Sequence, residues 1–276
     1  MLSKKEINFF LDNGYLIIKD FYPKKLIINL KKDIFNLSKE LYFFKFGNKI
    51  NVKFTEKNFD YYLALALNNN KKEFVSKFYD IIKKFDSIYH FSFYKKNKQV
   101  AKQLLKSKNI GTLIRACGIR MDYPNDKVHL TQLHQDYIQN LGSPSGLVFY
   151  STIRKVTKKD GPVIVYPESN KLGISNVKIF KKEATKSRSY ILDLPKNYEN
   201  KSKKKAVFIN VGDLVIFDFL LLHKSSYNYS NNIRWSIISR FFDFNSDIGK
   251  KNMFVGGLQE NIYFENIHPE KITYEN

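Results

Sequence analysis

The residues with the clearest chemical potential are His134 and Asp136, a His-x-Asp pair inside LTQLHQDY at 130–137. In an extended strand side chains alternate between faces, so residues two apart project to the same side. An imidazole and a carboxylate can then converge on one metal ion without a bend in the backbone. One further histidine would complete a two-His-one-carboxylate set, which suits non-haem Fe(II) and keeps positions open for substrate and dioxygen. A lone His-x-Asp is a weak signal, and a surface pair is its plain alternative. A second stretch, 213–240, supplies the parts such a site lacks, in the right order.

That stretch carries the apolar run LVIFDFLLLH, ending at His223, where a strand leaves a buried sheet for the polar loop KSSYNYSNN. The chain re-enters a strand at Ile233-Arg234-Trp235, and a hairpin there would return Arg234 to the side of His223. A guanidinium fork holds a carboxylate through two parallel charge-assisted hydrogen bonds. If 2-oxoglutarate were the co-substrate, its keto-acid end would chelate iron and its distal carboxylate would need such a cation. Arg234 sits in the apolar run IRWSIISRFF, which argues for a buried, paired role over a surface one, and Arg240 is the next candidate. Asp218 and His129 are rival ligands, one on a strand interior and one in a loop without a partnered carboxylate. His90 and His268 read as structural.

Elements that could position these residues follow from periodicity. Residues 3–12 open with Ser3-x-x-Glu6, a capping-box pattern, and Asn13-Gly14 stops the helix. A strand is expected at 15–21, and helices at 24–43, 57–68, 71–89 and 97–107. From Thr112 the texture turns to short β-rich runs at 114–123, 147–153, 162–166, 206–210, 213–222 and 233–244, broken by Gly, Pro and Asn turns. Strands at that spacing indicate a sandwich, barrel or jelly roll. The expected fold class is therefore α+β with a mainly β core and N-terminal helices packed outside it. No linker or internal repeat is evident, so one domain is expected over 1–276: a mostly helical part at 1–111, the β-core at 112–244 and an extension at 245–276. Residues 170–205 are polar and Lys-rich with no clear period. An insertion of that length inside a compact domain is usually functional, and a substrate lid is expected there, a solvated basic loop being the alternative.

Composition narrows the field. The chain of 276 residues is 43% hydrophobic and 26% charged, as soluble globular proteins are, and its 24 Phe and 18 Tyr favour strands. A single cysteine, Cys117, excludes an internal disulfide framework. No signal-like h-region and no apolar run long enough to span a membrane is seen, so a cytoplasmic protein is expected. The net charge of +21 invites a nucleic-acid partner. The lysines are spread along the whole chain, however, and no helix-turn-helix, zinc-finger or RNP-type motif is present. A small-molecule substrate is expected, and no nucleic acid.

The stretches RMDYPNDKVHLTQLHQDY, DGPVIVYPESNKLG and GDLVIFDFLLLHKSSYNYSNNIRWSIISRFFD resemble the phytanoyl-CoA dioxygenase family of Fe(II)- and 2-oxoglutarate-dependent oxygenases. The likeness runs from FFLDNGYLIIKDFY near the N-terminus to about Asp243. It implies a double-stranded β-helix, that is, a cupin-like jelly roll, using Fe(II), 2-oxoglutarate and O2. It implies that His134, Asp136 and His223 are the iron ligands, and that Arg234 anchors the distal carboxylate of 2-oxoglutarate with help from the Ser225 hydroxyl. Two departures bear on the substrate: Tyr150 stands where Trp is common, and Glu168-Ser169-Asn170 replaces a Gly-Ser-His signature. Asp136 occupies the position that is a small residue in the family's halogenases, which favours hydroxylation or a related oxidation. Cations of the expected lid, Lys178, Lys181, Lys182, Lys186, Arg188 and the run at 203–205, would suit a phosphate- or carboxylate-bearing substrate if they face the iron.

Overall fold

A computed structural model of the chain describes residues 1–47, 50–127, 130–180, 190–257 and 260–275. The N-terminal third is built from α1 (Lys4–Asn13), β1 (Tyr15–Ile18), α2 (Lys24–Phe46), α3 (Tyr61–Asn68), α4 (Lys72–Ile82), α5 (Asp86–Ser92) and α6 (Lys95–Leu105). Both halves of the Ser3/Glu6 capping box form, and Gly14 ends α1 at φ 75°. The helix expected over 71–89 is two helices. Phe85 takes an extended conformation (φ −71°, ψ 129°), and the break lets Phe78 and Ile82 on one side and Ile88 and Phe91 on the other all reach the core.

The β-rich part comprises β2 (Ile110–Thr112), β3 (Gly118–Asp122), β4 (Gly146–Ser151), β5 (Val163–Val165), β6 (Val177–Phe180), β7 (Ile191–Leu192), α7 (Tyr198–Lys201), β8 (Lys205–Val207), β9 (Leu214–Asp218), β10 (His223–Ser225) and β11 (Arg234–Asp243). The chain then runs through α8 (Asp247–Lys251), α9 (Phe264–Ile267) and β12 (Ile272–Glu275). A large antiparallel sheet has the order β1-β9-β4-β11-β2, with β3 also on β11. A smaller sheet, β10-β5-β8, faces it as the second wall of the jelly roll.

Strand alternation explains the layering. On β4, Leu147 and Phe149 join the core beneath the helices, while Val148 and Tyr150 face the smaller sheet; Leu214 and Ile216 against Val215 and Phe217 repeat this on β9. Both strands are covered on both faces, hence their nearly unbroken apolar sequences. On β11, Trp235 and Ile237 face the helices, where the indole Nε1 donates to Asp60 Oδ2 at 2.9 Å. Arg234, Ser236, Ile238 and Arg240 alternate with them and point between the sheets.

Two further expected elements differ. The strand expected from Ile114 begins at Gly118, because Ile114–Ala116 form a 3-10 turn that leaves Ile114 57% exposed. The stretch at 170–205 is not structureless: it contributes β6, β7 and α7, with β6 pairing in parallel with β12 from the C-terminal end. Its strands are short and their partner lies far along the chain, so no local period marks them. Lys181, Lys182, Lys186 and Arg188 lie outside the described residues, as does His129.

Candidate active site

His134 and Asp136 do not sit on a regular strand. His134 forms an isolated antiparallel bridge with His223, each backbone N–H donating to the other's carbonyl at 3.1 Å, and Asp136 opens a 3-10 turn, Asp136–Gln139. The i, i+2 geometry survives because Gln135 between them is extended (φ −110°, ψ 135°). Its side chain, fully buried on the opposite side, pins the segment. Nε2 donates to Gly173 O at 2.9 Å and Leu220 O at 2.7 Å, and Oε1 accepts from Ser175 N at 3.0 Å.

The bridge sets the two imidazoles side by side, ring centroids 4.2 Å apart. His134 Nδ1 donates to Gln132 O at 2.9 Å and His223 Nδ1 to Leu221 O at 3.0 Å. A carbonyl only accepts, so each Nδ1 carries a proton, which leaves Nε2 as the ring nitrogen through which each histidine could ligate a metal. Asp136 Oδ2 lies 3.1 Å from His223 Nε2 and 3.9 Å from His134 Nε2. Its other oxygen, Oδ1, accepts from Arg240 Nε at 2.9 Å and Nη2 at 2.7 Å, while Arg240 Nη1 donates to Ala116 O. Burial pushes the His134 imidazole down to about 4, helped by His223 and opposed by Asp136. Burial alone would raise the Asp136 carboxyl, but Arg240 and the two histidines hold it well below the usual carboxylate range. His134 is thus neutral and Asp136 ionised at neutral pH. One ligand atom from each of His134, Asp136 and His223 lies within 4.8 Å of the others, and two imidazole nitrogens with one carboxylate oxygen suit Fe(II).

A cavity of about 90 Å³ runs from these donors to Arg234. Val148, Val163, Phe217 and Ile238 line it together with Tyr150, Ser225, Ser236, Thr131 and Arg120. Arg234, 4% exposed, is already partnered: Nε and Nη2 lie 3.2 and 2.9 Å from Asp122 Oδ2, its register partner on β3, and Nη1 donates to Gly161 O. Ser225 Oγ accepts from Nη2 at 3.4 Å. Asp122 is shared with Arg120, whose Nε and Nη2 each lie 2.8 Å from Oδ1. The expected hairpin is not what joins His223 to Arg234. Their strands belong to different sheets, and the intervening loop crosses from one wall of the jelly roll to the other.

Other candidates fall away from this centre. Asp218 accepts from Leu220 N at 2.8 Å and is not in the metal-ligating group. His90 pairs with Asp86, and His268 accepts from the Tyr137 hydroxyl at 2.9 Å, which ties the C-terminal segment to the turn after Asp136. A second cavity, of about 870 Å³, opens beside the first and shares Thr131 and His134 with it; residues 190–199 form its outer wall.

Arg240, Gln135 and Asp122 are the residues that sequence reasoning missed in these roles. Arg240 carried one signal, its even spacing from Arg234 on a single strand, which puts both on one face.

Fold and site together define the class: an iron- and 2-oxoglutarate-dependent oxygenase. The chain belongs to the phytanoyl-CoA dioxygenase family, whose model it matches over residues 10–236. Among solved structures it is similar in fold to the epimerase SnoN in complex with Fe3+, alpha ketoglutarate and nogalamycin RO (11% identity, 87% of this chain and 83% of that one, TM-score 0.56). It is likewise similar to the carbocyclase SnoK from nogalamycin biosynthesis (15%, 88% and 84%, TM-score 0.55) and to EvdO2 from Micromonospora carbonacea var. aurantiaca complexed with 2-oxoglutarate (12%, 88% and 91%, TM-score 0.55). Among curated proteins none matches by sequence.

Proposed function

We propose that the chain oxidises a C–H bond of a small molecule, by hydroxylation, with 2-oxoglutarate converted to succinate and carbon dioxide. His134 Nε2, Asp136 Oδ2 and His223 Nε2 would hold the iron, and Arg234, assisted by Ser225, the distal carboxylate of the co-substrate. The observation that carries this reading is one cavity with three candidate metal donors at one end and a buried arginine at the other. The bound Fe(II) supplies the redox chemistry between dioxygen, the keto acid and the C–H bond.

The chain's own residues do the rest. Arg240 occupies one oxygen of Asp136, which leaves the other to face the histidines. Asp122 holds Arg234 by Nε and Nη2 and Gly161 O holds it by Nη1, so a carboxylate would take the Nη hydrogens that these contacts leave. Val148, Val163, Phe217 and Ile238 give the cavity an apolar lining. The bound species named for SnoN and EvdO2 support iron and 2-oxoglutarate as the pair used here. Within the stretch expected to form a lid, the described residues between 190 and 199 serve that role, since they wall the outer cavity.

The test is succinate release from 2-oxoglutarate by the Fe(II)-loaded protein, with Asp136→Ala alongside. Release by wild type and its loss in a folded Asp136→Ala support the assignment. Full turnover in Asp136→Ala would remove these three residues from the site.

A further inference from the structure

The outer cavity can be read for what it would accept. At about 870 Å³ it lies within the range of pockets that enclose drug-sized ligands. It shares Thr131 and His134 with the inner cavity, so an occupant would reach the metal donors. The wall is mostly apolar: Leu133 on the side of His134, and Ile191, Leu192, Leu194 and Pro195 on the outer side.

The charges around it are sparse. Glu199 is already neutralised, accepting from Lys224 Nζ and from the Tyr166 hydroxyl. Lys196 is exposed at the rim and has no acidic partner among the described residues. Of the described cations expected to attract an anion, Lys178 and Lys205 are engaged elsewhere, while Lys204 acts on the ionised Glu199. Lys178 is held by Glu275 at 2.5 Å and Asp193 at 3.6 Å, and Lys205 donates to the Tyr15 hydroxyl at 3.0 Å. A polyphosphate would bring several charges into an apolar wall whose described lining residues offer one ammonium without an acidic partner, and unpaired charge in such a setting is costly.

Building on the oxygenase reading, we infer that the outer cavity binds the molecule to be oxidised, and that this is a bulky, largely apolar monoanion. Its acid group lies at Lys196, and its apolar body lies against Ile191, Leu192 and Leu194, next to His134.

Two fluorescent probes of similar aromatic framework separate the parts of this inference. 1-Anilinonaphthalene-8-sulfonate carries one negative charge, and N-phenyl-1-naphthylamine carries none. Both should bind the metal-free protein. Ile191→Asp, at a half-exposed position, should weaken both more than tenfold. The sulfonate should be preferred by about two- to fivefold, the range of an exposed ion pair, and Lys196→Gln should erase the preference. Coenzyme A should displace neither probe. With Mn(II) bound, paramagnetic broadening of the probe's proton signals reports adjacency to His134. Probe affinity unchanged in Ile191→Asp, or no broadening while Mn(II) is seen bound, would overturn the cavity assignment and leave the metal site standing. Displacement by coenzyme A, or a sulfonate preference that survives Lys196→Gln, would overturn the monoanion. Failure of Mn(II) to bind at all would instead count against the oxygenase site, with the metal-free titrations still deciding the cavity.

Discussion

Replacing Arg240 by leucine isolates its grip on Asp136. The guanidinium places two N–H groups on one carboxylate oxygen at 2.9 and 2.7 Å, and Asp136 is 3% exposed. Deleting one partner of a buried pair costs about 3–5 kcal/mol, because the surviving charge is left uncompensated. The Arg240 side chain keeps 17% exposure, so water screens part of the pair and the lower end applies, about 3 kcal/mol. That is about two decades in the unfolding equilibrium. Removing both charges is close to neutral in many proteins. The double variant Arg240→Leu/Asp136→Leu should therefore be more stable than Arg240→Leu alone, by about 2 kcal/mol. Urea denaturation of the four metal-free proteins closes the cycle. In Arg240→Leu, Mn(II) affinity should also fall about 10- to 100-fold, the usual loss when a ligand's orienting partner is removed. An Arg240→Leu protein within 1 kcal/mol of wild type, or a double variant that loses the sum of the single effects, would refute the coupling.

Arg234→Ala should raise the 2-oxoglutarate requirement by about 10²- to 10³-fold with Mn(II) binding nearly intact; a 2-oxoglutarate titration followed by succinate release checks it. Gln135→Leu strands Gly173 O, Leu220 O and Ser175 N, so denaturation should show a loss on the order of 3 kcal/mol or more, although Gln135 contacts no proposed ligand atom. Burial lifts the Asp218 carboxyl from 3.8 to about 6 against one hydrogen bond from Leu220. The folded chain thus binds a proton there that the unfolded chain lacks between those values, and this contribution to stability is lost as pH rises toward about 6. Asp218→Asn should consequently stabilise the protein at pH 8 and lose that advantage near pH 4; an unchanged difference between the two would contradict it.

How much of this was legible in the sequence depended on how local its cause was. The Ser3/Glu6 cap, the stop at Gly14 and the apolar strands β4 and β9 follow from neighbouring residues or from burial on both faces, and all are found. His134, Asp136 and His223 were legible as a motif, yet the reason they converge was not. It lies in a bridge between distant backbones and in Gln135, whose partners are at 173, 175 and 220. Asp122 and Arg240 were hidden for the same reason, since each acts through a cross-strand or inter-segment contact. The split between α4 and α5 and the pairing of β6 with β12 answer to tertiary packing, which no local period records.

The central claim is that one cavity holds iron at His134, Asp136 and His223 and 2-oxoglutarate against Arg234. The most direct measurement is an anaerobic crystal structure with Fe(II) and 2-oxoglutarate, the metal located by anomalous scattering at the iron edge. The account predicts one iron bonded to both Nε2 atoms and to Asp136 Oδ2, with the distal carboxylate on the Arg234 guanidinium and Arg240 still on Asp136 Oδ1. Iron bound elsewhere, or a co-substrate whose distal carboxylate lies away from Arg234, would contradict it.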